Sequence, residues 1–463
     1  MQHMKVDVAI IGAGTAGLTA RREVVTRGGV PVLIEAGPYG TMCARVGCMP
    51  SKLLIAASEV ARTVDAAAMF GVNPTGSRTI DGRAVMERVR RERDRFVGST
   101  VALTEAIPAG QRLRGHACFI SPNSLQVDDH TTVEARAIVI ATGSTPVVPA
   151  PFDAIRSHVM TSDDVFELQD LPSSMAVIGA GLIALELGQA MRRLGVRVAF
   201  FSPFDILGPF SDPLIKQAIH RDLSAELDLR LCATIVAAEP TAQGVSIRWR
   251  DAEGGSREET FASVLVAAGR RPVMAGLRLE ASGLVLGTSG LPQVNFETAQ
   301  CADSPIFMAG DAGGIRPLLH EAVDDGSIAG ENAMLWPAVT RHTRRTPLAI
   351  GFTDPQMAMV GLRYDQLEAG KYAVGEVLFE DQPRARMIGR NKGLLRVYAD
   401  APGGILLGAE MFGPEVEHLA HLFAWAVQMG MTVAAALAMP FYHPTLEEGL
   451  RSALRDIAGK LKA

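Results

Sequence analysis

The residues best suited to chemistry are two cysteines, Cys43 and Cys48, with Pro50, Ser51 and Lys52 directly behind them. The chain has five cysteines, and no other two lie this close. Spacing alone leaves two readings open: buried thiols acting as small hydrophobes, or a redox-active dithiol. Positions five apart in an ideal helix are separated by roughly 8–9 Å, whereas the Cα atoms of a relaxed disulfide are about 5.5–6 Å apart. A bridge therefore needs a bend in the helix, and Gly47 supplies the freedom for one. A strained bridge near a helix start is readily reduced, and that position lowers a thiol's pKa.

Near the other end of the chain, His443 is followed by Pro444 and, five residues on, by Glu448. A histidine alone is more often structural, but beside these residues and with a dithiol upstream it is a candidate acid–base group, since histidine titrates near neutrality by type. Thr445 and Glu448 also match a capping box, so Glu448 serves a helix start, the imidazole, or both. Glu186 lies in an otherwise apolar helical stretch and needs a partner if buried. Asp311 follows Gly310 after a short apolar run, which suits a ligand contact as well as a turn. Cys118, Cys232 and Cys301 have apolar neighbours in sequence and read as inert.

These groups must be positioned by the elements between them. Val6–Ile11 is an apolar run, followed by Gly12, Gly14 and Gly17, a helix-like stretch to Arg27, and a second run, Val30–Ile34, ending in Glu35. Strand, glycine turn, helix, strand and acid make a dinucleotide fingerprint: the glycines admit a pyrophosphate to the helix start, and the acid meets a ribose hydroxyl. The pattern returns at Met175–Ile178, with Gly179, Gly181 and Ala184 in the turn and Val196–Phe201 as the next strand. Ser202 stands where the ribose-binding acid is expected, and no arginine adjoins it for a 2′-phosphate. NAD is the expectation, with NADP left open. Two fingerprints in one chain point to two cofactors, a flavin that stays and a nicotinamide that exchanges. Pro146, Pro149 and Pro151 mark a linker between them. The charge run Arg88–Arg95 mixes signs and reads as a solvated helix face.

At 463 residues the chain has room for about three domains. A net charge of −5 and a pI near 6.1 give no reason to expect nucleic acid. Five scattered cysteines do not make a secreted disulfide scaffold, and Met1–Lys5 runs straight into a strand without a signal-peptide pattern. Leu422–Phe441 is almost wholly apolar, but Gly430 can end one helix and Thr432 can cap a second. Two helices at a subunit interface are expected there rather than a membrane span. The expectation is a soluble, cytoplasmic protein with no metal site.

Taken together, these motifs resemble the class I pyridine nucleotide–disulfide oxidoreductases, the family of dihydrolipoamide dehydrogenase, glutathione reductase and mercuric reductase. The residues carrying the resemblance are Gly12-x-Gly14-x-x-Gly17 with Glu35, Cys43-x4-Cys48-x-Pro50-Ser51-Lys52, Ala141-Thr142-Gly143, Gly179-x-Gly181 with Glu186, Ala268-Gly269-Arg270, Gly310-Asp311 and His443-Pro444-Thr445-x-x-Glu448. The resemblance implies an α/β fold with two Rossmann-like, glutathione reductase-like domains and a C-terminal α+β dimerisation domain. Its segments would be 1–149 for FAD, 150–270 for NAD(P), 271–346 returning to the flavin fold and 347–463 for dimerisation.

The resemblance also implies roles. Cys43 would exchange with the substrate's sulfur, and Cys48 would stack on the flavin as the charge-transfer thiol. Lys52 would lie near flavin N5 and pair with Glu186. Gly12, Gly14, Gly17, Glu35, Ala36, Thr41, Cys43, Thr142, Gly143 and Asp311 would hold FAD, with the backbones of His116, Leu319 and His320. Gly179, Gly181, Ala184, Glu186, Ser202, Ala268 and Gly269 would hold the nicotinamide nucleotide. His443, supplied by the second subunit of a homodimer, would be the acid–base partner of Cys43, with Glu448 holding its imidazole. The implied substrate is a small dithiol or disulfide, or a lipoyl domain of a separate chain.

Ser51 and Leu182 resemble dihydrolipoamide dehydrogenases more than glutathione reductases, which carry a lysine and a gating tyrosine there. Mercuric reductases have a cysteine pair near the C-terminus, and here the last cysteine is Cys301. The alternatives are an NAD(P)H-dependent reductase of another disulfide or of a quinone, and a non-catalytic flavoprotein binding subunit or redox sensor. Met42, Ala44, Arg45, Ser202, Gln356 and Phe441 depart from the family's usual residues.

Overall fold

The computed structural model describes residues 1–73, 76 and 78–461, so residues 462 and 463 of the expected C-terminal segment lie outside the described residues. The chain forms two compact units, one from 1–53, 87–147 and 269–344, the other from 54–86, 148–268 and 345–463.

The first unit is built on a mainly parallel sheet. Strand β1 (Gln2–Ile11) leads into helix α1 (Thr15–Thr26), and β2 (Pro31–Glu35) follows. A short helix α2 (Met42–Val46) and the start of a long one, α3 (Cys48–Ala66), whose residues from 54 on belong to the second unit, come next, then β3 (Thr131–Ile140). β1 lies between β2 and β3, parallel to both, with Val8 opposite Pro31 and Ala137. Ile306–Met308 pairs in parallel with the end of β3. Alternation decides the packing: Val8 and Ile10 of β1 face a core shared with Ala16, Ala20 and Val24 of α1, while Ala9 and Ile11 face an opposite core with Phe119 and Ile138. Each fully buried Ile or Phe contributes about 1.5–3 kcal/mol relative to exposure. β1 begins four residues before the apolar run, because its parallel partner extends the ladder back to Gln2 opposite Thr131.

The second unit holds the other fingerprint. β4 (Ser174–Ile178), α4 (Leu182–Arg193) and β5 (Arg197–Phe201) form the centre of a five-stranded parallel sheet. A three-stranded antiparallel sheet follows in sequence at 234–261, and Trp249 from it packs edge-on to Phe201 at 5.0 Å. Residues 348–413 form a five-stranded antiparallel sheet whose core takes in Leu419, Phe423, Leu450 and Leu454 from helices Val416–Gln428 and α5 (Glu447–Lys460). The apolar stretch 422–441 is two helix segments, as its punctuation implies. Gly430 takes φ +61°, and Thr432 accepts the Ala435 N–H as the cap of Val433–Leu437. Among the described residues no helix is long and apolar enough to cross a membrane.

Candidate active site

The dithiol stretch is two helices broken at Gly47, whose backbone lies at φ −121°, ψ −119°. Thr41 caps α2 by accepting the Ala44 N–H at 3.3 Å, and α3 starts afresh at Cys48. The break folds Cys43 back onto the start of α3. Both cysteines are free thiols, Cys43 half-buried and Cys48 exposed. Cys43 is pushed well above the ordinary thiol range, by a side-chain hydrogen bond to Cys48 first, then by burial and by the charge of Cys48. The backbone N–H groups of Cys48 and Met49 donate to Cys43 and pull the other way, as a helix start should. The helix-start effect expected from the sequence is therefore present, but in this reduced pair the shared proton outweighs it. Lys52 is four residues beyond Cys48 on α3, on the same face.

The first fingerprint fits a pyrophosphate. A Cβ on Gly12 would meet the Ala141 oxygen at 2.2 Å, and one on Gly17 would meet the Gly12 oxygen at 1.9 Å. At Gly14 no described atom lies within 4 Å of the Cβ position, and this N-cap of α1 has no side-chain hydrogen bond among the described residues. The helix start is thus open where an anion would come. Glu35 ends β2 with one carboxylate oxygen accepting the Ala13 N–H and the other the Gly37 N–H, both at 2.7 Å. Ala36 beside it is exposed. Thr142 donates to the Val273 oxygen at 2.7 Å, and Gly143 takes φ +71°. Asp311 accepts the Ser144 hydroxyl at 2.6 Å. Leu319 and His320 open helix Leu319–Leu335, whose N-cap also lacks a side-chain hydrogen bond among the described residues. The backbone of His116 is tied to Asp128: its N–H donates to Asp128 Oδ1 and its oxygen accepts the Asp128 N–H.

The second fingerprint repeats this geometry. A Cβ on Gly179 would meet the Ala267 oxygen at 2.3 Å, and Gly181 has open space above it. Ala184 is fully buried. Ser202, also buried, exchanges hydrogen bonds with Phe204 in its own turn. Glu186 is buried, and its Oε1 accepts the Phe352 N–H at 2.7 Å. Ala268 and Gly269 are exposed in the link between the strands Ser263–Val266 and Arg270–Pro272.

His443 is 71% exposed and its Nδ1 lies 2.9 Å from Glu448 Oε2. Burial pulls the Glu448 carboxyl up, but the His443 hydrogen bond, the Thr445 N–H and the charges of His443 and Arg451 hold it below its usual range. Only half of the expected capping box forms. Glu448 receives the Thr445 N–H, while the Thr445 hydroxyl turns to the Tyr442 oxygen and Leu446 becomes the N-cap of α5.

Of the other cysteines, Cys301 is buried and pushed up to about 12 by burial. Cys232 is exposed, against the apolar setting expected, because it sits at φ +53° in the turn after Asp228–Arg230. Sequence reasoning also missed Ser144, Asp128 and Phe352, which meet their partners only through the fold.

Residues 6–326 match the pyridine nucleotide-disulphide oxidoreductases, and residues 348–454 match the dimerisation domain of that family. The chain is 30% identical to a dihydrolipoyl dehydrogenase of Halobacterium salinarum, over 98% of this chain and 96% of the relative. It is 31% identical to dihydrolipoyl dehydrogenase 3 of Pseudomonas aeruginosa, over 98% of each. The fold matches the HOCl-induced flavoprotein disulfide reductase RclA of Escherichia coli, with a TM-score of 0.83, 22% identity, and coverage of 97% of this chain and 99% of that one. The chain belongs to the pyridine nucleotide-disulphide oxidoreductases: an FAD- and NAD(P)-dependent flavoprotein carrying the family's dimerisation domain.

Proposed function

We propose that this flavoprotein oxidises dihydrolipoyl groups, or a closely related small dithiol, through Cys43 and Cys48. The observation that carries the reading is the pair of hydrogen-bonded thiols across the Gly47 break, in a chain whose dihydrolipoyl dehydrogenase relatives match it end to end. The segments 1–149, 150–270, 271–346 and 347–463 serve as the flavin, nicotinamide, returning flavin and dimerisation parts, and the site is shared across a homodimer.

In this reading the partner subunit's His443 acts on the substrate. In the neutral tautomer that donates Nδ1–H to Glu448 Oε2 at 2.9 Å, Nε2 is the nitrogen that serves as the base. Nε2 takes a proton from one substrate thiol, and the thiolate attacks Cys43 Sγ of the oxidised pair. A substrate–Cys43 bond forms, the Cys43–Cys48 bond breaks, and the electron pair leaves on Cys48. The second substrate thiol then attacks the sulfur held by Cys43 and closes the substrate disulfide; as the substrate–Cys43 bond breaks, its proton passes to Cys43, whose leaving sulfur the N–H groups of Cys48 and Met49 steady. The proton on Nε2 then goes to Cys48, which leaves the pair as the dithiol. FAD, when bound, supplies the two-electron acceptor that hands a hydride to the nicotinamide nucleotide.

The test is turnover of dihydrolipoamide with NAD+ and with NADP+, beside NAD(P)H with oxidised glutathione. Fast lipoamide turnover is expected. Its absence beside brisk reduction of another disulfide refutes the substrate and keeps the dithiol chemistry. A long-wavelength band after one dithionite equivalent, lost in Cys48→Ser, reports the Cys48–flavin pairing, and a band that survives the substitution refutes it.

A further inference from the structure

Met42, directly before Cys43, is one of the positions where this chain leaves its family's pattern, and its thioether has a specific partner. Arg270 lies on the strand Arg270–Pro272, which pairs antiparallel with Ser144–Pro146. Its rigid guanidinium fork donates from Nε to Ser144 Oγ at 2.9 Å and from Nη2 to the Ser144 oxygen at 2.9 Å. Nη2 also reaches Met42 Sδ at 3.0 Å. The Ser144 hydroxyl passes on to Asp311 Oδ2 at 2.6 Å. One cation is thus bonded on one side to the residue preceding the exchanging thiol. On the other side, through a hydroxyl, it reaches Asp311, a carboxylate that the resemblance implies holds FAD. The Met42 methyl lies over the neighbouring turn, 3.7 Å from where a Cβ on Gly143 would stand. A threonine oxygen is one bond nearer the backbone than a methionine sulfur and falls short of this contact.

We propose that Met42 and Arg270 are positioning residues shared by the two redox groups: Arg270 fixes the start of α2 through Met42 and Asp311 through Ser144. The proposal rests on the assignment of Cys43 and Cys48 to the dithiol beside the flavin. Fixing the start of α2 fixes how Cys43 meets Cys48, so the first arm acts on the thiols' shared proton. The second arm acts on cofactor retention. A thioether is a weak acceptor, so the first arm orients rather than clamps.

The test uses FAD-loaded protein with Met42→Leu, which keeps the bulk and removes the acceptor, together with Ser144→Ala, Arg270→Lys and the Met42→Leu/Arg270→Lys double variant. The readouts are the pH midpoint of the long-wavelength thiolate band in the two-electron-reduced protein, and the rate of FAD loss. Met42→Leu is expected to move the midpoint by about half a pH unit, roughly threefold in the thiol equilibrium, with FAD retained as in wild type. Ser144→Ala is expected to speed FAD loss and leave the midpoint, and Arg270→Lys to do both. Met42→Leu should add nothing in the Arg270→Lys background. An unmoved midpoint in Met42→Leu, or additive shifts in the double variant, overturns the proposal. A wild-type protein lacking the band refutes the dithiol assignment itself and takes this proposal with it.

Discussion

Gly14 and Gly17 are three residues apart in one turn, yet alanine at each should fail in a different way. At Gly17 the new Cβ would sit 1.9 Å from the Gly12 oxygen and 3.0 Å from its carbon. That oxygen is backbone in a turn held at φ +110°, so relief requires moving the β1–α1 junction by more than an ångström. Overpacking of this kind costs about 3 kcal/mol or more, which lowers the apoprotein Tm by roughly 5–10 °C. At Gly14 the backbone lies at φ −78°, ψ −173°, open to any residue, and no described atom lies within 4 Å of the Cβ position. Gly14→Ala should therefore leave apoprotein stability within about 0.5 kcal/mol. It should still crowd the pyrophosphate by about 1–3 kcal/mol, roughly 5- to 150-fold in the FAD Kd. Thermal melts of the deflavinated proteins and flavin titration separate the two. A Gly14→Ala protein that binds FAD as wild type, or that melts as early as Gly17→Ala, refutes the assignment of this turn to the cofactor.

Gly181→Ala, with the same open space in the second turn, should weaken nicotinamide nucleotide binding and leave bound FAD untouched, read by the KM for the nucleotide and the flavin content. His443→Gln should lower disulfide turnover by about 10²–10⁴, and Glu448→Gln by roughly 10- to 100-fold, in steady-state assays with FAD content unchanged. Because the Glu448 carboxyl is held below the ordinary glutamate range, its contribution is fully present above that range. It is lost as pH falls through the lowered value, and wild type should lose this support in acid while Glu448→Gln does not. Asp354 accepts Arg193 and Arg390, each at 2.9 Å, and the Arg193 side chain is 7% exposed. Burial pulls the Asp354 carboxyl up, but the two arginines outweigh it and hold it low. Asp354→Asn should cost about 3 kcal/mol at neutral pH, the low end for a broken buried pair because Arg193 keeps Glu226. The difference in melting should shrink as pH falls below the ordinary aspartate range toward the lowered value.

Much of this was legible because it is local. The glycine turns, the Gly47 break and the Thr432 cap each depend on a few consecutive residues, and the backbone obeys them. The family resemblance added the roles that spacing cannot assign. What escaped the sequence is tertiary. Phe352 meets Glu186 from 166 positions away, and Arg270 meets Met42 from 228 away. The Thr445–Glu448 box was half wrong for a local reason: α5 starts one residue later than the box requires, which hands the threonine hydroxyl to Tyr442. Cys232 was misread because apolar neighbours in sequence say nothing about a left-handed turn that lifts the side chain outward.

The Gly47 break also divides the labour of movement between the two thiols. Cys48 is welded to the first turn of a helix of 19 residues, about five turns of continuous hydrogen bonding. Cys43 rides on a helix of five residues, held among other contacts by the Thr41 cap and the Met42 contact. When the bond between the sulfurs opens, the lighter side is free to reorient and the heavier side stays in register. Under the proposed assignment, exchange with a variable substrate would fall to the sulfur on the short helix, and the sulfur proposed to face the planar flavin ring would be the one anchored to the long helix.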